Sequence, residues 1–382
     1  MLKNTKSCDS PTPQAILARV DALKSSLEYR NYLYARERVL KMTADPVAED
    51  MDIFRPSQYW REDLASFEYM VDASPLIIQK LRHHTHHITG LRAYEYRSNK
   101  DKKKVHLVRK LEALRSLDKD NLLVPEHPAL GGFGFENDGK LYNVDTLKFY
   151  EVLIGLSRAN VLGQFRNAKE RKIVWEIGAG WGGFAYQFKT LCPNTTYVIM
   201  DLPEVILFSA VYLKTLFPDA RVLMYGDVPN KQLFSEWQKH DFIFLPHSYL
   251  DEFSPPRIDL TVNMVSFQEM TDRQVDAYVR KSATLGSPYL YSLNRKRSLY
   301  NTEIKDVGKL LARYYNVELV EVLEVEYNQN LPLPVAKTES NGGRIWHSLQ
   351  NLLGMVAGAG GVEIKKSKHK MPYQHLLGKL KK

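Results

Sequence analysis

The chain has 382 residues, of which 44% are hydrophobic and 25% are charged. This size and composition exclude a disordered protein and allow one larger and one smaller domain. The net charge of +9 admits anionic partners, but it does not define a fold. The two cysteines, Cys8 and Cys192, are too far apart in sequence to suggest a disulfide framework, and no stretch has the pattern of a secretory signal or a membrane span. We therefore expect a cytoplasmic protein.

The first third of the chain is predicted to be mainly helical. Apolar residues recur every three or four positions from Pro13 to about Met42, and further helical stretches run from Pro56 to Met70 and from Pro75 to about Leu91. A segment rich in glycine and proline begins at Pro125, where we place a domain boundary, and the next helix is expected to start near Asp145 as its N-cap.

Strand and helix signals then alternate. The predicted strands are Ile173–Ile177, Tyr197–Met200, Arg221–Tyr225, Phe242–Leu245, Leu260–Val265 and Tyr289–Leu293, and the helices between them are Gly182–Leu191, Glu204–Leu216 and Arg273–Ala283. Such alternation predicts a mostly parallel sheet with helices on both faces. A helix near Ile304–Tyr314 and an alternating strand pattern over Val317–Val325 follow, with one more candidate strand at "RIWHSL", and an antiparallel pair at the sheet edge fits this ending.

These patterns predict that the chain has three parts. Residues 1–124 are predicted to form a helical cap that contributes to substrate binding, and residues 125–350 a cofactor-binding α/β domain. Residues 351–382, which contain "KKSKHK" and end in "GKLKK", are predicted to be a basic, solvated tail. Attraction of this tail to a phosphorylated glycan precursor or to the inner membrane surface is the alternative.

The stretch "VWEIGAGWGG", Val174 to Gly183, contains the most informative motif. Its glycines fit the dinucleotide spacing G-x-G-x-x-G, and together with Glu176 they equally fit E-x-G-x-G-x-G, the form usual in S-adenosylmethionine enzymes. Asp201 ends the next predicted strand, where a carboxylate can accept hydrogen bonds from both hydroxyls of a ribose. The two features together predict a cofactor that contains a nucleoside.

Glu176 favours S-adenosylmethionine over NAD. A diphosphate binds best at a helix N-terminus without a nearby negative charge, whereas a zwitterionic methionine group with an adjacent sulfonium gains from a carboxylate. The alternative role for Glu176 is a structural one, as an acid at a strand end paired with a lysine or with loop amides.

The segments "VWEIGAGWGGFAYQF", "MDLPEVI", "MVSFQEM" and "YLYSLNR", with "LGGFGFENDGKLYNVDTLKFYE" before them, resemble the bacterial sugar O-methyltransferases. The resemblance covers about Pro125 to Arg295 and implies a Rossmann-like class I methyltransferase sheet and S-adenosylmethionine as cofactor. It implies cofactor contacts for Glu176, Gly178, Ala179, Gly180, Asp201, Leu202 and Asp227. Asp227 would meet the adenine amino group, but both "RVLMYGD" and "DFIFLPH" fit the third strand, so the segment around Pro246 and His247 is the alternative.

Methyl transfer to a sugar hydroxyl requires alignment and gains from a general base, because the hydroxyl is a weak nucleophile. Glu269 follows a predicted strand and is our candidate base, with His247 as the second candidate because its ordinary pKa lies nearer neutrality. Gln268 and Asn294 are candidates to orient the hydroxyls of the acceptor, and helix or loop capping is their structural alternative.

The predicted function is therefore O-methylation of a sugar hydroxyl in a glycan or in its nucleotide- or lipid-linked precursor. No metal site is predicted, because the histidines of "HHTHH", His83 to His87, have no acidic ligand nearby. An NAD-dependent oxidoreductase would use the same glycines and Asp201. A third reading is a non-catalytic adaptor that binds nucleic acid or a glycan-assembly partner through its basic surface.

Overall fold

The computed structural model describes residues 11–44, 52–97, 101–298, 301–323 and 372–382. The candidate strand "RIWHSL" and the basic run "KKSKHK" lie outside these residues. In the described part of the chain, no helix has the length and apolar character needed to cross a membrane.

The strands form a two-stranded hairpin and one larger sheet. They are β1 (Phe135–Asn137), β2 (Lys140–Tyr142), β3 (Lys172–Ile177), β4 (Thr195–Asp201), β5 (Val222–Met224), β6 (Phe242–Pro246), β7 (Leu260–Met264), β8 (Tyr289–Arg295), β9 (Tyr315–Leu319) and β10 (Tyr373–Leu380). The eight strands from β3 to β10 lie in the order β5-β6-β4-β3-β7-β8-β10-β9. All neighbours from β5 to β8 are parallel, whereas β10 is antiparallel to both β8 and β9.

The predicted Rossmann-like α/β fold, with a helical N-terminal region and an antiparallel pair at the sheet edge, is confirmed. The chain builds the sheet outward from β3 in one direction through β4 and then in the other direction through β7 and β8. The order therefore reverses between β3 and β7. In open parallel sheets, ligands bind beyond the carboxyl ends of the strands at such a reversal.

The helices are α1 (Pro13–Leu23), α2 (Leu27–Ala44), α3 (Gln58–Leu64), α4 (Pro75–Ile78), α5 (His86–Thr89), α6 (Asp101–Leu117), α7 (Val144–Arg158), α8 (Gly163–Arg166), α9 (Gly183–Leu191), α10 (Pro203–Leu216), α11 (Asp272–Thr284) and α12 (Val307–Leu311). The predicted long first helix is divided in two, and α6 was not predicted. Helix α2 packs along α10, where Asn31 donates to the Thr215 hydroxyl (3.1 Å). Tyr32 and Val39 of α2 belong to the same hydrophobic core as the helices of the α/β part.

The prediction that Asp145 caps α7 is wrong. The N-cap is Asn143, whose side-chain oxygen accepts from the Thr146 amide (2.9 Å). The Asp145 carboxylate instead accepts from the Trp181 indole (3.1 Å) and pairs with Lys148 (2.9 Å). Asparagine and aspartate both cap helices well, so their order in "YNVD" does not show which of them does so.

The prediction of a solvated tail is wrong for the last residues of the chain, which form β10 in the interior of the sheet. Leu376 and Leu377 are buried, and the buried His375 contacts the Tyr291 hydroxyl (2.8 Å) and the Glu151 carboxylate (3.1 Å). Because lysines flank these apolar residues, the composition of the segment predicted a solvated tail. In the structure Lys379 pairs with Glu318 at the surface (2.9 Å).

Candidate functional site

A cleft of about 590 Å³ opens at the carboxyl ends of β3, β4 and β7, where the strand order reverses. Its floor comes from the α/β part of the chain, and α3 and α5 with their flanking residues line it from the helical region. The predicted site residues that line it are Glu176, Gly178, Ala179, Gly180, Asp201, Leu202, His247, Gln268 and Glu269. The topology thus brings together residues that lie up to 93 positions apart in sequence (269 − 176).

The turn after β3 has a backbone conformation that only glycine adopts without strain. Gly178 and Gly180 have φ angles of 69° and 59°, in the left-handed region that favours glycine. A Cβ on Gly178 would lie 2.2 Å from the Ser266 hydroxyl, which is an impossible contact. The turn therefore presents bare backbone to the cleft, as close approach to a cofactor requires.

Glu176 is fully buried at the end of β3 and is only half satisfied. Its Oε2 accepts from the Tyr197 hydroxyl (2.9 Å), whereas its Oε1 has no hydrogen-bond partner among the described residues. Burial, together with the nearby charge of Asp201, raises the pKa of this carboxyl to about 8, although the hydrogen bond from Tyr197 acts in the opposite direction. An unpaired acceptor of this kind, next to a glycine turn, is a ready partner for a cationic ligand.

Asp201 lies at the end of β4, across the turn from Glu176. Its two carboxylate oxygens accept from the backbone amides of Gly180 (2.9 Å) and Leu202 (2.8 Å). Burial raises its pKa to about 7, although these amides favour the ionised form. Each oxygen retains a second lone pair for an incoming hydroxyl. This arrangement suits a ribose, whose two adjacent hydroxyls can both donate to one carboxylate.

The structure resolves which strand follows β4 in the sheet. Strand β6, from "DFIFLPH", pairs directly with β4, while β5, from "RVLMYGD", is the outer edge strand. His247 therefore lies at the rim of the cleft. Its Nε2 donates to the Phe54 carbonyl (2.7 Å), which leaves Nδ1 without a described partner, and burial lowers its pKa.

Asp227 does not reach the cleft, so the structure does not support its predicted contact with adenine. Its carboxylate accepts from the Tyr34 hydroxyl (2.6 Å), the Arg38 guanidinium (2.8 Å) and the Met224 amide (2.8 Å). These bonds connect α2 to the end of β5. The insertion of β6 between β4 and β5 displaces Asp227 by one strand, which explains the difference.

Glu269 lies at the carboxyl edge after β7, as predicted, in a short 3-10 turn over Phe267–Glu269. Burial raises the pKa of its carboxyl to about 8, against the opposing effect of the Lys148 charge. The negative charges of Asp63 and Asp201 contribute to this raised value. A carboxyl with a pKa near neutrality is suited to accept a proton from a hydroxyl.

Gln268 and Asn294 both have structural partners, and only Gln268 also lines the cleft. The Asn294 amide donates to Asn263 (2.8 Å) and Ser292 (2.8 Å), its oxygen accepts from the Gln268 amide (3.2 Å), and Asn294 does not line the cleft. The Gln268 side-chain oxygen accepts from the Arg295 amide (2.9 Å). Both residues hold the ends of β7 and β8 together, which corresponds to the capping alternative.

Sequence reasoning missed the cleft residues supplied by α3, α7 and β10. Tyr59, Trp60 and Asp63 come from the helical region, Lys148 from the first turns of α7, and Tyr373 from the start of β10. Only Lys148 had a usable signal, because it lies one helical turn after Asp145 and so shares its face. Nothing in the sequence shows that α3 or β10 reaches the carboxyl ends of β3 and β7.

No known family model matches this chain, and no curated protein matches it. Among solved structures, the methyltransferase domain of a bacterial Hen1 protein aligns with 62% of this chain and all of its own length, at 12% identity and a TM-score of 0.35. The N-methyltransferase NodS from Bradyrhizobium japonicum, in complex with S-adenosylhomocysteine, aligns with 45% of this chain and 81% of its own length, at 14% identity and a TM-score of 0.30.

Magnesium protoporphyrin IX methyltransferase from Synechocystis, with bound S-adenosylmethionine, aligns with 48% of this chain and 80% of its own length, at 13% identity and a TM-score of 0.30. Likenesses this distant do not determine a cofactor or a substrate. The strand order and the position of the cleft define a Rossmann-like α/β protein. Its chemistry depends on the residues of the cleft.

Proposed function

We propose that this protein is an S-adenosylmethionine-dependent O-methyltransferase. The observation that carries the proposal is the unpaired, buried Oε1 of Glu176 beside the bare glycine turn. A diphosphate at this turn would lie near that carboxyl and repel its ionised form, whereas an ammonium or sulfonium group would stabilise it. Asp201 supplies the second carboxylate, for a ribose. S-adenosylmethionine, when bound, supplies an activated methyl group.

Within this proposal the chain has to align an acceptor oxygen and remove its proton. Glu269 is the candidate base, because it lines the same cleft and has its pKa raised to about 8 by burial. We assign His247 to the nucleoside side instead, where its free Nδ1 can accept a hydrogen bond from an amino group. Lys148 favours the ionised form of Glu269 and so prepares it for proton transfer.

A sugar is the proposed acceptor, in a cytoplasmic glycan precursor. Tyr59 and Trp60 line the acceptor end of the cleft, and aromatic side chains offer both an apolar face and a polar group. Asp63 and Glu269 lie beside them and provide acceptors for hydroxyl groups. An aromatic surface combined with carboxylates suits a ligand that has apolar ring faces and several hydroxyls.

The test combines cofactor binding with methyl transfer. Calorimetry should show binding of S-adenosylhomocysteine below millimolar concentration and no comparable binding of NADH. With labelled methyl donor and a panel of nucleotide sugars and extracted glycans, Glu269→Gln should lower the rate about a hundredfold or more while leaving cofactor affinity within twofold. Glu252→Gln, a surface carboxylate hydrogen-bonded to Asn230, is the matched control.

The pH dependence adds an independent check on the base. Only ionised Glu269 can accept a proton, so the rate should rise about tenfold per pH unit below its pKa and level off above it. Glu269→Gln should flatten this profile. NADH binding in place of S-adenosylhomocysteine would refute the cofactor assignment, and full activity of Glu269→Gln would refute the base.

A further inference from the structure

Arg295 is a cation in the cleft that has no anionic partner among the described residues. It ends β8 and lines the cleft, and its side chain forms no hydrogen bond or ion pair with a described residue; its Nε is buried and unpaired. The guanidinium lies 4.8 Å from the ring centre of Tyr373, its register partner on β10. Stacking on Tyr373 and the bond from the Arg295 amide to Gln268 hold the residue in place. It is a preorganised donor group.

The other basic side chains around the cleft differ from Arg295. Lys148 is paired with Asp145 at 2.9 Å, and the exposed Arg92 donates to the Tyr94 hydroxyl at 3.2 Å. The buried acids Glu176 and Asp201 are assigned above to the cofactor. Arg295 therefore remains available for the acceptor. A planar guanidinium with free donors binds carboxylate or phosphate through paired hydrogen bonds.

A basic groove next to the cleft favours phosphate over carboxylate as the anion that binds Arg295. The segment 295–298 separates the cleft, lined by Arg295 and Ser298, from a groove of about 520 Å³. Five cations and two acids line this groove: Lys296, Arg297, Lys305, Lys309 and Arg313, with Asp272 and Asp306. Lys305 and Lys309 have no ion pair with a described residue. An anion that extends from Arg295 over this segment thus meets further positive charge, as a diphosphate requires and a single carboxylate does not.

We propose that the acceptor is a phosphorylated sugar, whose phosphate or diphosphate binds Arg295 in the cleft and is attracted by the basic groove beyond it. This inference rests on the proposed function for the position of the acceptor. It adds a substrate class and a specificity-determining residue. The methylated hydroxyl and the phosphate would then belong to one molecule that spans the region between Glu269 and Arg295.

The first experiment titrates the full chain, with S-adenosylhomocysteine present and at fixed ionic strength, with inorganic pyrophosphate and separately with glucuronate. Wild-type protein should bind pyrophosphate more tightly than glucuronate. Arg295→Gln should weaken pyrophosphate binding about tenfold or more, and Arg295→Lys should give an intermediate value, because it keeps the charge without the planar donor group. Arg92→Gln is the matched control, since it removes the same charge from the same cleft and should leave binding within twofold.

Two further measurements identify the source of the phosphate and provide a second variant in case Arg295→Gln does not fold. Tighter binding of uridine diphosphate than of geranyl diphosphate supports a nucleotide-linked sugar, and the reverse supports a lipid-linked one. If Arg295→Gln does not fold, the double variant Lys305→Gln/Lys309→Gln should weaken pyrophosphate binding at least twofold. The proposal is overturned if wild-type protein prefers glucuronate, or if Arg295→Gln binds pyrophosphate as wild type does. Loss of S-adenosylhomocysteine binding by wild-type protein would instead count against the proposed cofactor alone.

Discussion

Glu176→Gln should stabilise the cofactor-free protein near neutral pH and weaken its binding of S-adenosylmethionine. The carboxyl is fully buried, its Oε1 has no described partner, and burial raises its pKa to about 8. Ionisation is therefore unfavourable in the folded protein until a cation binds beside it. Glutamine has almost the same shape, can still accept from the Tyr197 hydroxyl, and does not titrate.

The magnitude follows from the difference in pKa between the folded and the unfolded chain. Below pH 4.5, the ordinary value for glutamate here, the group is protonated in both states and contributes no pH dependence. As the pH rises toward 8, the unfolded chain releases a proton that the folded chain retains, so stability falls, by about 1.4 kcal/mol per unit. Between pH 5 and 7 the wild-type protein should lose roughly 2–3 kcal/mol through this residue, and Glu176→Gln should not.

Urea unfolding of both proteins at pH 5, 6, 7 and 8, without cofactor, measures this difference directly. Other buried acids such as Asp201 are common to both proteins and cancel when the two curves are subtracted. Calorimetry at pH 7 in buffers of different ionisation enthalpy should show wild-type protein releasing close to one proton on binding S-adenosylmethionine, and the variant fewer. Parallel stability curves would show that Glu176 is already ionised and paired in the free protein, which would refute the reasoning.

Two further predictions test the parts of the fold that sequence reasoning misplaced. Asp227→Asn should leave S-adenosylhomocysteine affinity within twofold but lower the free energy of unfolding by about 1–3 kcal/mol, because Tyr34 and Arg38 lose an ionised acceptor; a large loss of affinity would return Asp227 to the cofactor site. Deletion of residues 373–382 should abolish cooperative unfolding followed by circular dichroism, since β10 pairs with both β8 and β9. A truncated protein that still unfolds cooperatively would show that β10 is dispensable.

The cofactor end of the cleft was readable from the sequence because one short stretch encodes it. Glu176, Gly178 and Gly180 lie within five positions, and in the structure both glycines have left-handed φ angles, which glycine adopts easily. Asp201 could be placed because the carboxyl ends of neighbouring parallel strands meet at one edge. Local conformation and strand alternation are sufficient for this half of the site.

The proposed acceptor end of the cleft could not be predicted from the sequence, because it is assembled from segments far apart in the chain. Trp60 lines the same cleft as Glu269 from the helical region, and Tyr373 of β10 contacts Arg295. Neither contact has a periodicity or a spacing that reports it, since each depends on how separate elements pack. Asn294 shows the converse case, because its position at the sheet edge suggested acceptor binding, whereas it does not line the cleft and its hydrogen bonds join β7 to β8.

Strand β10, which was not predicted, contributes to the part of the cleft proposed to bind the acceptor. Tyr373, at the start of β10, lines the cleft. Two positions later on the same strand, the buried His375 contacts Glu151 and Tyr291 in the core. The guanidinium of Arg295 stacks on Tyr373 of this strand, and the Arg295 backbone amide donates to Gln268. Under the proposed role of Arg295, selection of the acceptor depends on the folding of β10 into the sheet. The proposed cofactor residues Glu176 and Asp201 lie on β3 and β4, so substitutions in β10 that preserve the fold should affect acceptor affinity before they affect cofactor affinity.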